Sequence, residues 1–203
     1  MSVVWTPLES NPDVMKTYSE SLGLNMSLLQ FHDVLSTDDW ALEMIPRKVH
    51  SVIMVFPIKD VTEKRKSEQN QIILDKGQIL HKDIYYMKQT VPNACGTIAI
   101  LHAIGNLDKD LFDKVVKPDS YLDKFFKDTK TNIMSPTAIA TYLENDETID
   151  ALHSEASHQG QSEVPDVEED VTNHFVAFRY IYIYIVMYIY IVMYLFVYSY
   201  IYI

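Results

Sequence analysis

Gln89-Thr90-Val91-Pro92-Asn93-Ala94-Cys95-Gly96-Thr97 runs without a break into Ile98-Ala99-Ile100-Leu101-His102-Ala103-Ile104, and the chain contains no other cysteine. The lead-in is polar and carries a proline. Beyond Cys95 the residues are apolar over most of a helix circumference, interrupted only by His102 and Asn106. That change of pattern predicts a core helix from Cys95 to about Leu107. A thiol at a helix N-terminus lies at the positive end of the helix dipole, which favours the thiolate. The thiolate is the nucleophilic form, so the position suits a catalytic cysteine. It equally suits a small buried hydrophobe, the common role of a free cysteine. Position alone leaves both readings open.

Working outward, the 203 residues are 48% hydrophobic with a formal net charge of −11. That length supports one domain with a sizeable core. The acidic balance argues against a nucleic-acid partner, whose phosphates it would repel, and suits a basic protein partner. A single cysteine cannot form an internal disulfide. The first residues, Met1-Ser2-Val3-Val4-Trp5-Thr6-Pro7-Leu8-Glu9, lack a basic region followed by an apolar one, so no secretory signal is read and the expected compartment is cytoplasmic.

Asn11-Pro12-Asp13 predicts a helix start, with Asn11 as cap, proline in the first turn and Gly23 as terminator, giving Pro12 to Leu22. Asp38 and Asp39 open a short helix ended by Pro46. Val49 to Phe56 reads as a strand buried on both faces. Thr62 to Lys76 reads as a solvated helix stopped by Gly77, and Ile84 to Met87 as a short strand. Pro118 opens a helix containing Tyr121, Leu122, Phe125 and Phe126, and Ser135-Pro136 opens another through Leu143. From Ser154 to Pro165 no periodicity remains, and a loop of that length in a compact domain is usually functional or disordered. It leads to a strand, His174 to Phe178.

A cysteine nucleophile needs a base, and histidine has a suitable pKa. Seven histidines are present. His32, His50 and His81 precede Cys95 in segments with other roles, and His102 lies along the same helix. His153 and His158 fall in or near the unpatterned loop, poorly held for precise chemistry. His174 alone begins a candidate strand that could aim it at a helix N-terminus. Gln89 could offer its amide to a developing oxyanion, with the Cys95 N–H as second donor. A surface histidine and a surface glutamine remain the plain alternative.

The block from Tyr85-Tyr86-Met87-Lys88-Gln89-Thr90 through Asn93-Ala94-Cys95-Gly96-Thr97-Ile98 resembles the active-site block of the ubiquitin C-terminal hydrolases. So do Trp5-Thr6-Pro7-Leu8-Glu9-Ser10-Asn11-Pro12, Phe56-Pro57-Ile58, Leu101-His102-Ala103-Ile104, Met134-Ser135-Pro136, Tyr142-Leu143-Glu144-Asn145, His158-Gln159-Gly160-Gln161 and His174-Phe175-Val176-Ala177, in the family's order. The resemblance implies an α/β (α+β) papain-like fold, a central antiparallel sheet flanked by helices. It implies Cys95 as nucleophile, His174 as general base and acid, and Gln89 as oxyanion donor. The activity implied is thiol-dependent hydrolysis at the C-terminal glycine of ubiquitin, with small or unfolded adducts released. Residues from about Leu152 to Val171 match the loop that crosses the family's active site. Pro7 and Leu8, together with His158 and Gly160, are the expected substrate contacts. No metal or other cofactor is assigned.

The sequence departs from the family after the histidine strand. The family's third catalytic residue is an aspartate one strand further on, yet no aspartate follows Asp170 here. Glu168, Glu169 and Asp170 precede His174 and are placed on the loop side. From Tyr180 to Ile203 there is no charge, only an Ile/Tyr-rich run of the kind an AT-dinucleotide repeat encodes. The chain is therefore read as an incomplete catalytic domain, 1–178, followed by a low-complexity tail, 179–203, taken to be translated non-coding sequence. Two other readings of 180–203 are a membrane anchor, for which nine tyrosines are too many, and strands prone to aggregation. A non-catalytic ubiquitin binder is the alternative function.

Overall fold

A computed structural model of the chain describes residues 4–77, 83–161 and 173–179, and the backbone alone at 200–202. The architecture is helices packed on a four-stranded antiparallel sheet, as expected. Its strands are β1 (His32–Val34), β2 (Ser51–Pro57), β3 (Asn173–Arg179) and β4 (Tyr200–Tyr202), ordered β1-β4-β2-β3. β2 and β3 pair over their full length, from Ser51 opposite Arg179 to Pro57 opposite Asn173. β1 has no counterpart in the sequence reading; three residues carry no period to read.

Strand alternation gives the sheet two different faces. Ile53, Val55 and Phe175 belong to the main core with the central helix α4 (Cys95–Gly105). Val52, Met54, Phe56, Val176 and Phe178 face a smaller cluster with Ile45 and Leu42. β2 is thus buried on both faces at its start, as its unbroken apolar run implies.

α4 is enclosed on all sides: ten of its eleven residues are buried, all but His102. Burying a side chain such as Ile100 or Leu101 contributes roughly 1.5–3 kcal/mol. Around it pack α1 (Pro12–Leu22), α5 (Lys109–Val115), α6 (Tyr121–Phe126), α7 (Pro136–Glu144) and α8 (Glu147–Ser157). In α1 the expected caps are in place: Asn11 accepts from the Asp13 N–H, and Gly23 ends the helix at φ 106°, a left-handed conformation that suits glycine.

Several expectations are corrected. Ile84–Met87 joins no ladder among the described residues. Its donors go to side chains instead, the Tyr85 N–H to Asn106 Oδ1 at 2.9 Å and the Met87 N–H to His102 Nε2 at 3.1 Å. The helix placed at Pro118 begins at Tyr121, because Asp119 is left-handed and Ser120 is the residue that caps. It continues as a π-helical turn, Lys127–Thr131. α5, before it, is an addition to the elements expected. Finally, the unpatterned region begins later than expected: α8 runs to Ser157, capped by Asp146 onto the Thr148 N–H. By contrast α2 (Asp39–Glu43) and α3 (Asp60–Lys76) match the reading closely, and α3 buries no residue. Among the described residues no helix is long and apolar enough to cross a membrane. The interpretation of 180–203 lies outside the described residues except at 200–202, whose backbone pairs with β1 and β2.

Candidate active site

The turn Val91–Ala94 delivers the chain into α4, with Asn93 in a left-handed conformation that asparagine tolerates. Ala94, at the cap position, makes no side-chain capping bond, so the first N–H groups of α4 are left to other acceptors. One such acceptor is Cys95 Sγ, which faces the backbone N–H groups of Gly96, of Cys95 itself and of Phe175 on β3. These donors pull the thiol pKa down. Burial pushes it up and wins, so Cys95 stands above the ordinary cysteine value. Enclosure of the sulfur, 5% exposed, thus outweighs the pull of the helix dipole toward the thiolate.

His174 is the second residue of β3, one before the Phe175 N–H that faces the sulfur. Its ring stands edge-on to Phe56 at 5.7 Å, on the sheet face of the smaller cluster. Its pKa is lowered by burial and by Lys66, with Glu63 opposing. Among the described residues no carboxylate hydrogen-bonds this ring. Gln89 and His174 line one cleft of about 440 Å³ along the side of β3 away from β2, with Tyr86, Ile98 and His102. The Gln89 amide donates to the Val91 carbonyl at 3.2 Å. The structure thus brings Gln89 and His174 to one cleft and the β3 backbone to Cys95, without a Cys95–His174 hydrogen bond among the described residues.

The N-terminal segment straps this arrangement together. The Trp5 N–H donates to the Pro92 carbonyl at 3.2 Å, and Asn93 Nδ2 donates to the Trp5 carbonyl at 2.9 Å. Leu8 is buried against Gly96, where an added Cβ would lie 3.1 Å from it. Of the two expected substrate contacts there, Leu8 is committed to the core and Pro7 is half-buried. A side chain at Gly160 would run into the Glu9 carboxylate, which ties the end of α8 to the same segment. His158 is exposed, and its Nδ1 donates to the Ser154 carbonyl at 2.6 Å. The crossing loop beyond position 161, with Glu168, Glu169 and Asp170, lies outside the described residues.

His153 is the residue that the sequence reading misplaces. Far from sitting in a loop, it is 0% exposed on α8. Its Nε2 contacts the Thr6 carbonyl at 2.6 Å and its Nδ1 contacts Thr97 Oγ1 at 2.7 Å, so neither nitrogen is free for the sulfur. Its ring lies 4.3 Å from that of Trp5. A signal is there to read: an Asp146 cap followed by Ile149, Leu152, His153 and Ala156 at helical spacing.

A cysteine at the start of a buried helix, with a histidine on the neighbouring strand of an antiparallel sheet, is an arrangement that suits a thiol hydrolase. The chain belongs to the ubiquitin carboxyl-terminal hydrolase family: the description "Ubiquitin carboxyl-terminal hydrolase, family 1" matches residues 5–185. It is 43% identical over 173 residues to ubiquitin carboxyl-terminal hydrolase 3 of Arabidopsis thaliana, covering 85% of this chain and 69% of that protein. To the human isozyme L1 it is 32% identical, covering 86% and 74%. Its fold is similar to that of Trichinella spiralis UCH37 bound to ubiquitin vinyl methyl ester, with a TM-score of 0.56 at 21% identity, covering 86% of this chain and 57% of that one. The catalytic domain of the same protein gives a TM-score of 0.57 at 19% identity, covering 87% and 70%.

Proposed function

We propose that this chain is a thiol-dependent deubiquitinase that hydrolyses bonds at the C-terminal glycine of ubiquitin, with Cys95 as nucleophile, His174 as general base and acid, and Gln89 as an oxyanion donor. The observation that carries the reading is the seat of the sulfur, at an uncapped helix N-terminus and against the N–H of the residue that follows His174.

His174 takes the Cys95 proton, and the sulfur attacks the carbonyl carbon of the terminal glycine. The oxyanion so formed meets the Cys95 N–H and the Gln89 amide, which must turn from the Val91 carbonyl to do so. His174 returns the proton to the leaving amine as the C–N bond breaks, leaving a thioester. Water, deprotonated by the same histidine, then cleaves the thioester. Burial pushes the Cys95 pKa up, which adds to the need for a base to take its proton. His174 faces the other side of the sheet from Cys95, so the start of β3 must turn as the ring leaves Phe56, and such bonds often tighten only once substrate is bound.

Ubiquitin carrying a C-terminal vinyl methyl ester is the direct test. A covalent adduct with the parent chain, absent from Cys95→Ala, is the expected result. No adduct, with Cys95 still alkylated by iodoacetamide, would refute hydrolysis; retained ubiquitin binding in that case would leave the non-catalytic binder.

A further inference from the structure

Four parts of the molecule distant in sequence meet at one buried imidazole. His153 comes from α8, Thr97 from the first turn of α4, Tyr18 from α1, and Thr6 from the N-terminal segment. Their contacts are His153 Nε2 to the Thr6 carbonyl at 2.6 Å, His153 Nδ1 to Thr97 Oγ1 at 2.7 Å, and Thr97 Oγ1 to the Tyr18 hydroxyl at 2.8 Å. Proton counting orients the whole series. A carbonyl can only accept, so Nε2 carries the hydrogen. The neutral ring must then accept at Nδ1, which takes the only hydrogen of Thr97. Tyr18 therefore donates to Thr97. The hydrogen bonds all point one way, running from Tyr18 through Thr97 and His153 to Thr6.

Burial of the ring supports the neutral form, pulling the His153 pKa down to about 4 against a smaller opposing effect of the Thr6 carbonyl. Tyr18 is a titratable group whose ring meets it edge-on, and burial raises its pKa, so it stays a phenol and a donor. Satisfied buried networks of this kind rigidify what they join, and losing one member leaves others unpaired.

What this network joins matters. Thr97 lies two residues beyond Cys95, in the turn whose N–H groups face the sulfur. Thr6 belongs to the strap that holds the Pro92–Asn93 turn and continues into Pro7 and Leu8. α8 leads directly to His158 and Gly160. We infer that His153 is a positioning residue that locks the ubiquitin-recognition segment and the start of the crossing loop to the first turn of the nucleophile helix, so that recognition and reaction share one rigid frame. This deepens the proposed hydrolysis and rests on it.

Two variants test the assignment. His153→Phe keeps the ring beside Trp5 but removes both nitrogens, whereas Thr97→Val keeps shape and removes the middle hydroxyl. Two readouts are taken on variants whose circular dichroism matches the parent: kcat and KM with a C-terminal ubiquitin amide substrate, and the pH profile of Cys95 alkylation by iodoacetamide. His153→Phe is expected to lower kcat/KM roughly 10- to 100-fold, the loss expected of one buried network, with KM raised as well as kcat lowered. The alkylation profile should move along the pH axis because the first-turn donors shift. Thr97→Val should do the same more weakly, and the double variant should lose no more than His153→Phe alone.

Full additivity of the two variants, or both readouts within twofold of the parent, would overturn the role. If His153→Phe does not fold, Thr97→Val decides alone on the same twofold criterion. The alkylation arm needs no ubiquitin, so it reports on the network even if hydrolysis itself fails.

Discussion

Cys95 and His174 are held in very different ways. The cysteine starts a helix buried all round, clamped by the N-terminal strap and by the His153 network. The histidine is the second residue of β3, which pairs with β2 on one side and has the cleft on the other, and its ring rests against Phe56 rather than the sulfur. If the proposed roles hold, one half of the reaction centre is assembled and the other has still to be turned. On the proposed roles, the nucleophile's position is built into the central core, whereas the base's position depends on what holds the β3 side. In triad enzymes an acid orients the base; among the described residues none does so here.

The largest effect should come from the assembled half. Cys95→Ala is expected to reduce turnover of a ubiquitin substrate by ~10⁴ or more while leaving the fold intact, since nothing else supplies a nucleophile. Residual turnover within tenfold of the parent would transfer the chemistry to another group. His174→Ala should cost less, ~10²–10⁴ in kcat, with KM little changed. A loss under tenfold would mean that the ring never reaches the sulfur, and the contrast between a fixed cysteine and a turning histidine would become a statement of inactivity.

Core and surface can be contrasted in the same way. Leu101→Ala, at 0% exposure in α4, should destabilise the protein by about 2–5 kcal/mol in urea unfolding. Ile72→Ala in α3, where the side chain is 52% exposed, should stay within about 0.5 kcal/mol. Equal effects would contradict the picture of α4 as the pillar of the site.

Much of this is legible in the sequence. α1, α3, α4 and α7 carry caps, prolines or an apolar surface strong enough to place them, and the break from polar to apolar at Cys95 locates the helix that matters. What escapes reading depends on tertiary partners. Ile84–Met87 has strand composition, but the Tyr85 and Met87 N–H groups go to Asn106 and His102 at the end of α4, which no local pattern reveals. Leu8 looks available to a partner in the sequence, but Gly96 makes room for it in the core. The helix dipole alone suggests a lowered thiol pKa, whereas burial, a property of the whole fold, sets the direction. His153 hides because the polar residues around it, Ser154, Glu155 and Ser157, mask the apolar spacing of α8.

Acid titration offers the smallest but most specific contrast. Folded His153 has a pKa of about 4, below its ordinary 6.5, so between those values the unfolded chain binds a proton that the native network excludes. Stability therefore rises with pH across that window: the contribution is complete above about 6.5 and is lost as pH falls toward 4, amounting to at most about 3 kcal/mol. His102, also brought to about 4 by burial, acts in the same direction, so the parent alone cannot assign the effect. His153→Gln separates them, because an amide can donate to Thr6 and accept from Thr97 without titrating. Urea unfolding at pH 7 and pH 4.5 should show the parent losing roughly 2 kcal/mol more than the glutamine variant. Parallel losses would mean that the folded imidazole binds its proton as readily as the unfolded one, so that the neutral network is not what the native state enforces. In that event the frame around Cys95 would be no firmer than the strand that carries His174.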